Sequence, residues 1–216
     1  RIRSAVDKDG NILAREFIVL QDCGAYSSET PIFPSVSVHI AQGAYRVGEL
    51  RVFGRSVYTN TAPTGAYRGV CAIYLYAAIE QHMDHIAKEL GVDRREYRLR
   101  HVMKAGDTLH NGQPHPDADI LQEEFDAVEK MAPWEQITAD KKPYRGVAIS
   151  PSYWMNSTVP GSASVRLCED GTIRLLTAAN ENGSGSVAMA LTQIVAEGLG
   201  VSTDDVFIPT VDTDAC

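Results

Sequence analysis

The chain has 216 residues, of which 44% are hydrophobic and 22% are charged, and its formal net charge at pH 7 is −8. This composition is typical of a globular protein with a buried core, and the acidic balance makes nucleic acid and anionic membranes poor candidates as partners. The longest apolar run, residues 70–79, is about half as long as a membrane-spanning helix.

The cysteines are scattered singly along the chain, at Cys23, Cys71, Cys168 and Cys216. A zinc knuckle or a cysteine-held iron–sulfur cluster requires closely spaced cysteines, so we expect neither within this chain. Isolated cysteines fit reduced thiols and predict a cytoplasmic protein.

The first half of the chain begins with a predicted β-hairpin and continues into helices. Asp9-Gly10 is a tight-turn pair between strand-like runs at 2–6 and 12–20. A helix ending at Gly91 is predicted by apolar residues at helical spacing, namely Leu75, Ile79, Met83, Ile86 and Leu90. Asp93 and Glu96 have the spacing of a capping box and predict a second helix.

The second half repeats the mixture of helix and hairpin. A third helix is predicted at 119–131, and Lys141-Lys142-Pro143 indicates a boundary. Strands at 162–167 and 172–178 then flank an Asp170-Gly171 turn, and a last helix is predicted at 187–199. We therefore predict an α+β fold of mixed sheets with packed helices, in two subdomains, 1–140 and 141–216.

Two loops that lead into helices share a design suited to an anion. They cover 59–69 and 181–186, and each places glycines and small residues just before a helix N-terminus. Free backbone N–H groups and the positive helix end favour an anion there, and Arg68 adds a fixed positive charge to the first loop. For either loop alone, a plain cap or turn is the commoner role of such residues.

The order and spacing of several motifs are more specific than either loop. Residues 59–69 read T-N-T-A-P-T-G-A-Y-R-G, and residues 77–87 read A-A-I-E-Q-H-M-D-H-I-A. Further stretches are D-C-G-A-Y at 22–26, G-A-Y at 43–45, E-L-G-V-D at 89–93 and the run from Asp170-Gly171 to Asp214. Together they resemble the molybdenum-cofactor-binding (large) subunit of the xanthine dehydrogenase/aldehyde oxidase family, which implies two subdomains of a molybdopterin-binding domain.

The resemblance implies a molybdenum-pterin cofactor, either molybdopterin or its cytosine dinucleotide, whose metal is held by the pterin dithiolene and not by protein side chains. The loop Ala66-Tyr67-Arg68-Gly69 would then give backbone N–H contacts near the oxo face of the metal. The turn Gly183-Ser184-Gly185 matches a G-Q-G cofactor contact of the family. Because Ser184 is shorter than that glutamine, we expect the glycines to make the contact.

The same resemblance points to three substrate-pocket residues. Val70 stands where many purine-oxidising members carry an aromatic residue that clamps the substrate ring. Tyr153 and Trp154 match a segment that lines the pocket, and two adjacent aromatics would suit a flat ring. The alternative is that both rings pack between the sheets.

Three other groups have a structural interpretation beside a functional one. His82 and His85 could pair on a metal, but no third ligand lies near them in sequence, so a surface or interface role is favoured. Asp212 and Asp214 could form a D-x-D metal site, although turns also favour aspartate. Glu80 falls close to the apolar helix face, where it could brace the Arg68 turn or remain an exposed charge.

The family reaction is hydroxylation of an aldehyde or N-heteroaromatic substrate at a C–H bond, with water as the oxygen source. Its general-base glutamate belongs to a G-E motif that this chain lacks after residue 186, so we assign no catalytic residue and expect that glutamate beyond residue 216. Electrons would pass to iron–sulfur (2Fe–2S) and FAD subunits or domains, in a complex expected to be a dimer. We interpret the chain as an internal fragment of a longer subunit, inactive in isolation.

Two other hypotheses stay open. The chain could be a non-catalytic structural or binding fragment whose glycine loops are ordinary helix caps. It could also be a carbon-monoxide-dehydrogenase-like relative, but that branch places a cysteine directly after the arginine, where this chain has Gly69. The motifs do not distinguish among purine, aldehyde, nicotinate and aryl-thioester oxidisers of the family, which share these loops.

Overall fold

The computed structural model describes residues 1–115, 118, 120–154, 161–181 and 183–210. The chain forms two compact units, residues 1–155 and 156–216. Each unit contains a three-stranded sheet and at least one helix, so the predicted α+β class is confirmed. No helix in the described part of the chain has the length and apolar character needed to cross a membrane.

The sheet of the first unit consists of β1 (Ile2–Val6), β2 (Ile12–Gly24) and β3 (Glu49–Tyr58). The predicted hairpin is confirmed: β1 pairs antiparallel with β2, and the Asp7 carboxylate holds the turn by accepting the N–H groups of Asp9 and Asn11 at 2.9 and 2.8 Å. β3 lies parallel to β2. A parallel pair needs a crossover, which here contains a short 3-10 helix (Thr30–Ile32) and α1 (Phe33–Ile40).

Two helices pack the core of this unit. In α2 (Ala72–Leu90) the residues at helical spacing, Leu75, Ile79, Met83 and Ala87, are fully buried. α3 (Arg94–His101) is capped as predicted, because the Asp93 carboxylate accepts the N–H groups of Arg95 and Glu96 at 2.8 and 3.0 Å.

A buried ionic network joins α2 to α3. The Glu80 carboxylate accepts the Tyr45 hydroxyl at 2.9 Å and the Arg98 Nε at 2.8 Å, and Arg98 also donates to Asp84 at 2.6 Å. Both interpretations of Glu80 are therefore wrong. Its side chain is only 14% exposed, and its partners are Tyr45 and Arg98 rather than the Arg68 turn.

The first unit continues past the predicted boundary. α4 (Leu121–Met131) and α5 (Trp134–Ala139) come next in the chain. Residue 119, where the third helix was predicted to begin, lies outside the described residues. Beyond them, Val147 accepts a hydrogen bond from Arg94 at 3.3 Å, and the Tyr153 N–H donates to the Tyr76 hydroxyl at 2.9 Å. Residues 141–154 thus pack with the first unit, and the subdomain boundary at residue 140 stays a prediction.

The second unit contains β4 (Ala163–Leu167) and β5 (Ile173–Thr177), the predicted hairpin, with β6 (Val206–Phe207) parallel to β5. α6 (Ser186–Leu199) ends at Gly200, whose φ of +70° provides the left-handed cap that glycine favours. The small core of this unit joins Ile173, Leu175, Ala196 and Val206.

Candidate functional site

A cleft of about 380 Å³ opens in the first unit beside the loop that enters α2. Its walls are the end of β2, the start of α1, the loop itself and the first turn of α2. The lining side chains are mainly apolar or aromatic, and they include Leu20, Phe33, Tyr67, Val70, Ile73 and Tyr74.

The structure brings part of the predicted cofactor loop to this cleft. Tyr67, Gly69 and Val70 line it, so the predicted substrate residue Val70 shares a cavity with the predicted cofactor loop. Ala66 and Arg68 are exposed and lie outside the lining. The Tyr67 side chain is 83% exposed, so most of its ring is available for contact.

The backbone of the loop offers hydrogen-bond donors. The Ala66 N–H donates to a carboxylate oxygen of Glu29 at 3.0 Å. Among the residues that the structure describes, no acceptor is found for the N–H groups of Tyr67, Arg68 and Gly69. Free N–H groups next to a long helix favour an electronegative ligand, as the sequence predicted for this loop.

Asp22 anchors the beginning of the loop. Its carboxylate accepts the hydroxyls of Thr59 and Thr61 at 2.5 and 3.0 Å and the N–H of Gly24 at 2.7 Å. The hydrogen bond from Thr59, followed by that from Gly24, lowers the pKa of Asp22 despite some desolvation. The two motifs D-C-G-A-Y and T-N-T, which are remote in sequence, thus form one structural feature.

Gly24 lets the loop approach the end of β2. It has a φ of +74°, and a Cβ atom there would lie 2.3 Å from the carbonyl oxygen of Ala62. Such a contact cannot be accommodated without moving backbone, so glycine is required by both space and conformation.

Gln21, Cys71 and Tyr74, which line the cleft, form with the buried Ser37 a cluster of neutral polar groups that the motifs did not reveal. The Gln21 amide nitrogen lies 3.3 Å from both the Ser37 hydroxyl and the Cys71 sulfur and also donates to the Tyr74 hydroxyl. Cys71 caps α2 in a left-handed conformation, with a φ of +66°. The available signal was Gln21 itself, a polar residue at an inward position between Val19 and Cys23 on β2.

The second predicted loop lies in the second unit and already holds an anion. The Glu181 carboxylate accepts the N–H groups of Gly183, Ser184, Gly185 and Val187 at 2.8–3.2 Å. Desolvation opposes the charged form, but these backbone donors, led by Gly185, hold the pKa of Glu181 below its ordinary value. The prediction that the N–H groups of this turn favour an anion is therefore correct, but the sequence did not predict that the anion is a carboxylate of the same chain. Asn182 lies outside the described residues.

The remaining predicted residues lie elsewhere. Tyr153 is only 7% exposed and packs in the core of the first unit, where its ring lies 4.7 Å from that of His115. Neither Tyr153 nor Trp154 lines the cleft that contains Val70. The half-buried His82 has its Nε2 3.0 Å from the Ser4 hydroxyl.

No group of three His, Cys, Asp or Glu residues in the described ranges could hold a metal ion. Asp212 and Asp214 lie outside those ranges.

Comparison with known proteins places these features in a family. Two family models, both described as a molybdopterin cofactor-binding domain, match residues 1–102 and 121–216. A probable xanthine dehydrogenase subunit of Bacillus subtilis is 29% identical over 219 residues, which cover 98% of this chain and 29% of that protein. An aldehyde oxidoreductase of Megalodesulfovibrio gigas is 31% identical over 194 residues, which cover 86% of this chain and 21% of the relative.

A solved structure agrees with these matches. Quinoline 2-oxidoreductase from Pseudomonas putida superposes with a TM-score of 0.77 at 28% identity, over 96% of this chain and 29% of that one. The chain thus spans less than a third of the length of the relatives it matches. With two matching family models along its length, the chain belongs to the molybdopterin cofactor-binding family of xanthine dehydrogenase/aldehyde oxidase type.

Proposed function

We propose that this chain forms part of the cofactor and substrate site of a molybdenum hydroxylase that oxidises an aldehyde or N-heteroaromatic substrate at a C–H bond, with water as the oxygen source. One observation carries the proposal. The loop of Tyr67, Arg68 and Gly69 keeps backbone N–H groups without acceptors among the described residues, at the edge of an apolar cleft. Family membership supports the same chemistry.

The residues present fit a molybdenum-pterin group. The free N–H groups of the loop would hold its electronegative face, and Gly69, with a φ of +73° and only one side-chain atom near the position of a Cβ, leaves room for it. When bound, the group supplies the two-electron oxidation of the substrate C–H bond. Arg68, exposed on the same loop, would pair with a polar or anionic part of the cofactor.

The second turn would contribute differently. Because Glu181 occupies the N–H groups of Gly183, Ser184 and Gly185, these donors bind a cofactor only if the carboxylate leaves. Open space surrounds the positions where Cβ atoms would lie on Gly183 and Gly185. Direct packing of the pterin on the glycine backbone is therefore the contact that we propose.

Metal and pterin analysis of the purified full-length protein tests the proposal. We expect one molybdenum and one pterin per active site, together with oxidation of an aldehyde or heteroaromatic substrate. A folded protein that retains its iron–sulfur partner and never holds molybdenum or pterin would refute the proposal. It would favour the alternative of a non-catalytic fragment whose loops are ordinary caps.

We further propose iron–sulfur and FAD partner subunits or domains, assembly as a dimer and a cytoplasmic location. The relatives include the gamma subunit of a 6-hydroxypseudooxynicotine dehydrogenase complex from Paenarthrobacter nicotinovorans, which by its name belongs to a larger assembly. Cys23, Cys71 and Cys168 are free thiols, as a reducing compartment would keep them. Co-purification of an iron–sulfur and a flavin component with the full-length protein checks the partners.

A further inference from the structure

We propose that the cleft beside Val70 accepts an uncharged ring substrate and rejects one that carries a carboxylate. The inference rests on the proposed function, since it names the substrate class of the same site. It is drawn from the size of the cleft, its lining and the charges around it.

The size and the lining favour a small ring. A volume of about 380 Å³ lies near the lower limit of small-molecule pockets, so the cleft suits one or two rings. Leu20, Phe33 and Val70 present apolar surface, and Tyr67 adds an aromatic face. Flat apolar rings gain both burial and aromatic contact in such a setting.

The charges disfavour an anion. Within the described part of the chain, the lining contains the acidic residue Asp22 and no lysine, arginine or histidine. A second carboxylate, that of Glu29, bonds the Ala66 N–H beside the cleft. Arg68 lies on the same loop but outside the lining, and it and the free N–H groups of the loop are the groups that we propose to hold the cofactor. A substrate carboxylate would therefore lose its hydration in the cleft without gaining a cation, and like charges placed together are strongly unfavourable.

The polar cluster at the cleft can recognise a ring without using charge. Gln21, Ser37 and Cys71 are joined through the Gln21 amide nitrogen, which lies 3.3 Å from each of the other two side chains, and Tyr74 completes the cluster. Desolvation, the largest cause, raises the pKa of Tyr74, so its hydroxyl remains neutral. Tyr74 lines the cleft, and its hydroxyl accepts from Gln21, so its own proton can be donated to a carbonyl oxygen or a ring nitrogen of the substrate.

A matched substrate pair tests the inference in the assembled full-length complex. Benzaldehyde and 4-formylbenzoate share the reacting group and the ring and differ by one carboxylate. We expect kcat/KM to favour benzaldehyde by about 100-fold, the size of discrimination that unpaired charge produces. Comparable values for the two aldehydes would overturn the inference.

A substitution at the cleft provides the second arm. Ile73 lines the cleft and is 67% exposed, so Ile73→Lys adds an ammonium group without disturbing the core. We expect this variant to reduce the preference for benzaldehyde about tenfold, and the neutral control Ile73→Gln to change it less than about threefold. A Lys variant with the same preference as the Gln control would overturn the inference, as expected if another segment of the longer protein covers the cleft.

Direct binding separates this inference from the proposed function. The unreactive pair benzamide and 4-carbamoylbenzoate is titrated into the same complex and followed by ligand-observed NMR. Selective binding of benzamide by a complex that lacks molybdenum and pterin would support the cleft assignment while refuting the proposed function. Equal binding of both amides by a complex that contains the cofactor would overturn the cleft assignment alone.

Discussion

Replacing Arg98 with methionine should destabilise the first unit severely. Arg98 is 2% exposed, and its guanidinium donates to Glu80 at 2.8 Å, to Asp84 at 2.6 Å and to the carbonyl oxygens of Arg94 and Glu80 at 3.1 Å. Methionine keeps much of the length of the side chain but removes every donor. Among the described residues, the Glu80 carboxylate then keeps only the hydroxyl of Tyr45 as a hydrogen-bond donor.

The magnitude follows from the burial of both partners. Removing one member of a buried ion pair costs about 3–5 kcal/mol, because the other charge remains without compensation. A typical domain is stable by about 5–15 kcal/mol, so Arg98→Met should lower the urea midpoint by about 2 M. The matched control on the same helix is Arg100→Met, whose partner Glu96 lies four residues away and whose guanidinium side chain is 43% exposed. Its loss should be below about 1 kcal/mol.

Urea unfolding of this chain, followed by tryptophan fluorescence, measures both variants. Both tryptophans, Trp134 and Trp154, lie in the first unit, so the signal reports on that unit. A loss for Arg98→Met no larger than that for Arg100→Met would refute the reasoning about the buried network.

The pH dependence of the same variants adds an independent test. Desolvation, the largest cause, already raises the pKa of Glu80, although Arg98 opposes the shift. In Arg98→Met the pKa of Glu80 should rise further. When folding raises the pKa of a carboxyl group, the free energy of unfolding falls as the pH increases from the pKa of that group in the unfolded chain to its pKa in the folded chain. The destabilisation should therefore be larger at pH 8 than at pH 5, and the opposite order would contradict the assignment.

Three further predictions concern the loops. Glu181→Gln should speed amide hydrogen exchange in the first turn of α6, because a neutral and weaker acceptor then faces the four N–H groups. In the unaltered chain, exchange there should also become faster as the pH falls through the lowered pKa of Glu181. Exchange mass spectrometry that shows neither change would contradict the role of Glu181 as a cap. Gly24→Ala should lower the melting temperature much more than Gly91→Ala. Both glycines have a positive φ, but only at Gly24 would a Cβ atom clash with the Ala62 backbone. Equal losses would show that the loop can move away from the end of β2. Arg68→Ala in the full-length protein should lower turnover and leave the melting temperature nearly unchanged, because the side chain is exposed. A large fall in melting temperature with normal specific activity would instead make Arg68 a structural residue.

Local patterns predicted the elements well. The hairpin around Asp9-Gly10, the helical spacing on α2 and the cap at Asp93 are short-range features, and each formed as predicted. The residues predicted to line the substrate pocket do not all line one cleft. Val70 lies in a cleft and Tyr153 lies in the core, and an aromatic side chain in sequence does not distinguish a pocket wall from core packing.

The sequence by itself determined the family, the α+β class and the two glycine loops before helices, because these depend on the order of motifs and on periodicities within one segment. Only the tertiary structure decided the partners of the polar groups. It assigned Glu80 to Tyr45 and Arg98, joined Asp22 to the T-N-T motif and placed Gln21 in the lining of the cleft. Buried polar groups must find partners within the fold, and a residue such as Glu80 finds one 35 positions away through packing that no local pattern records.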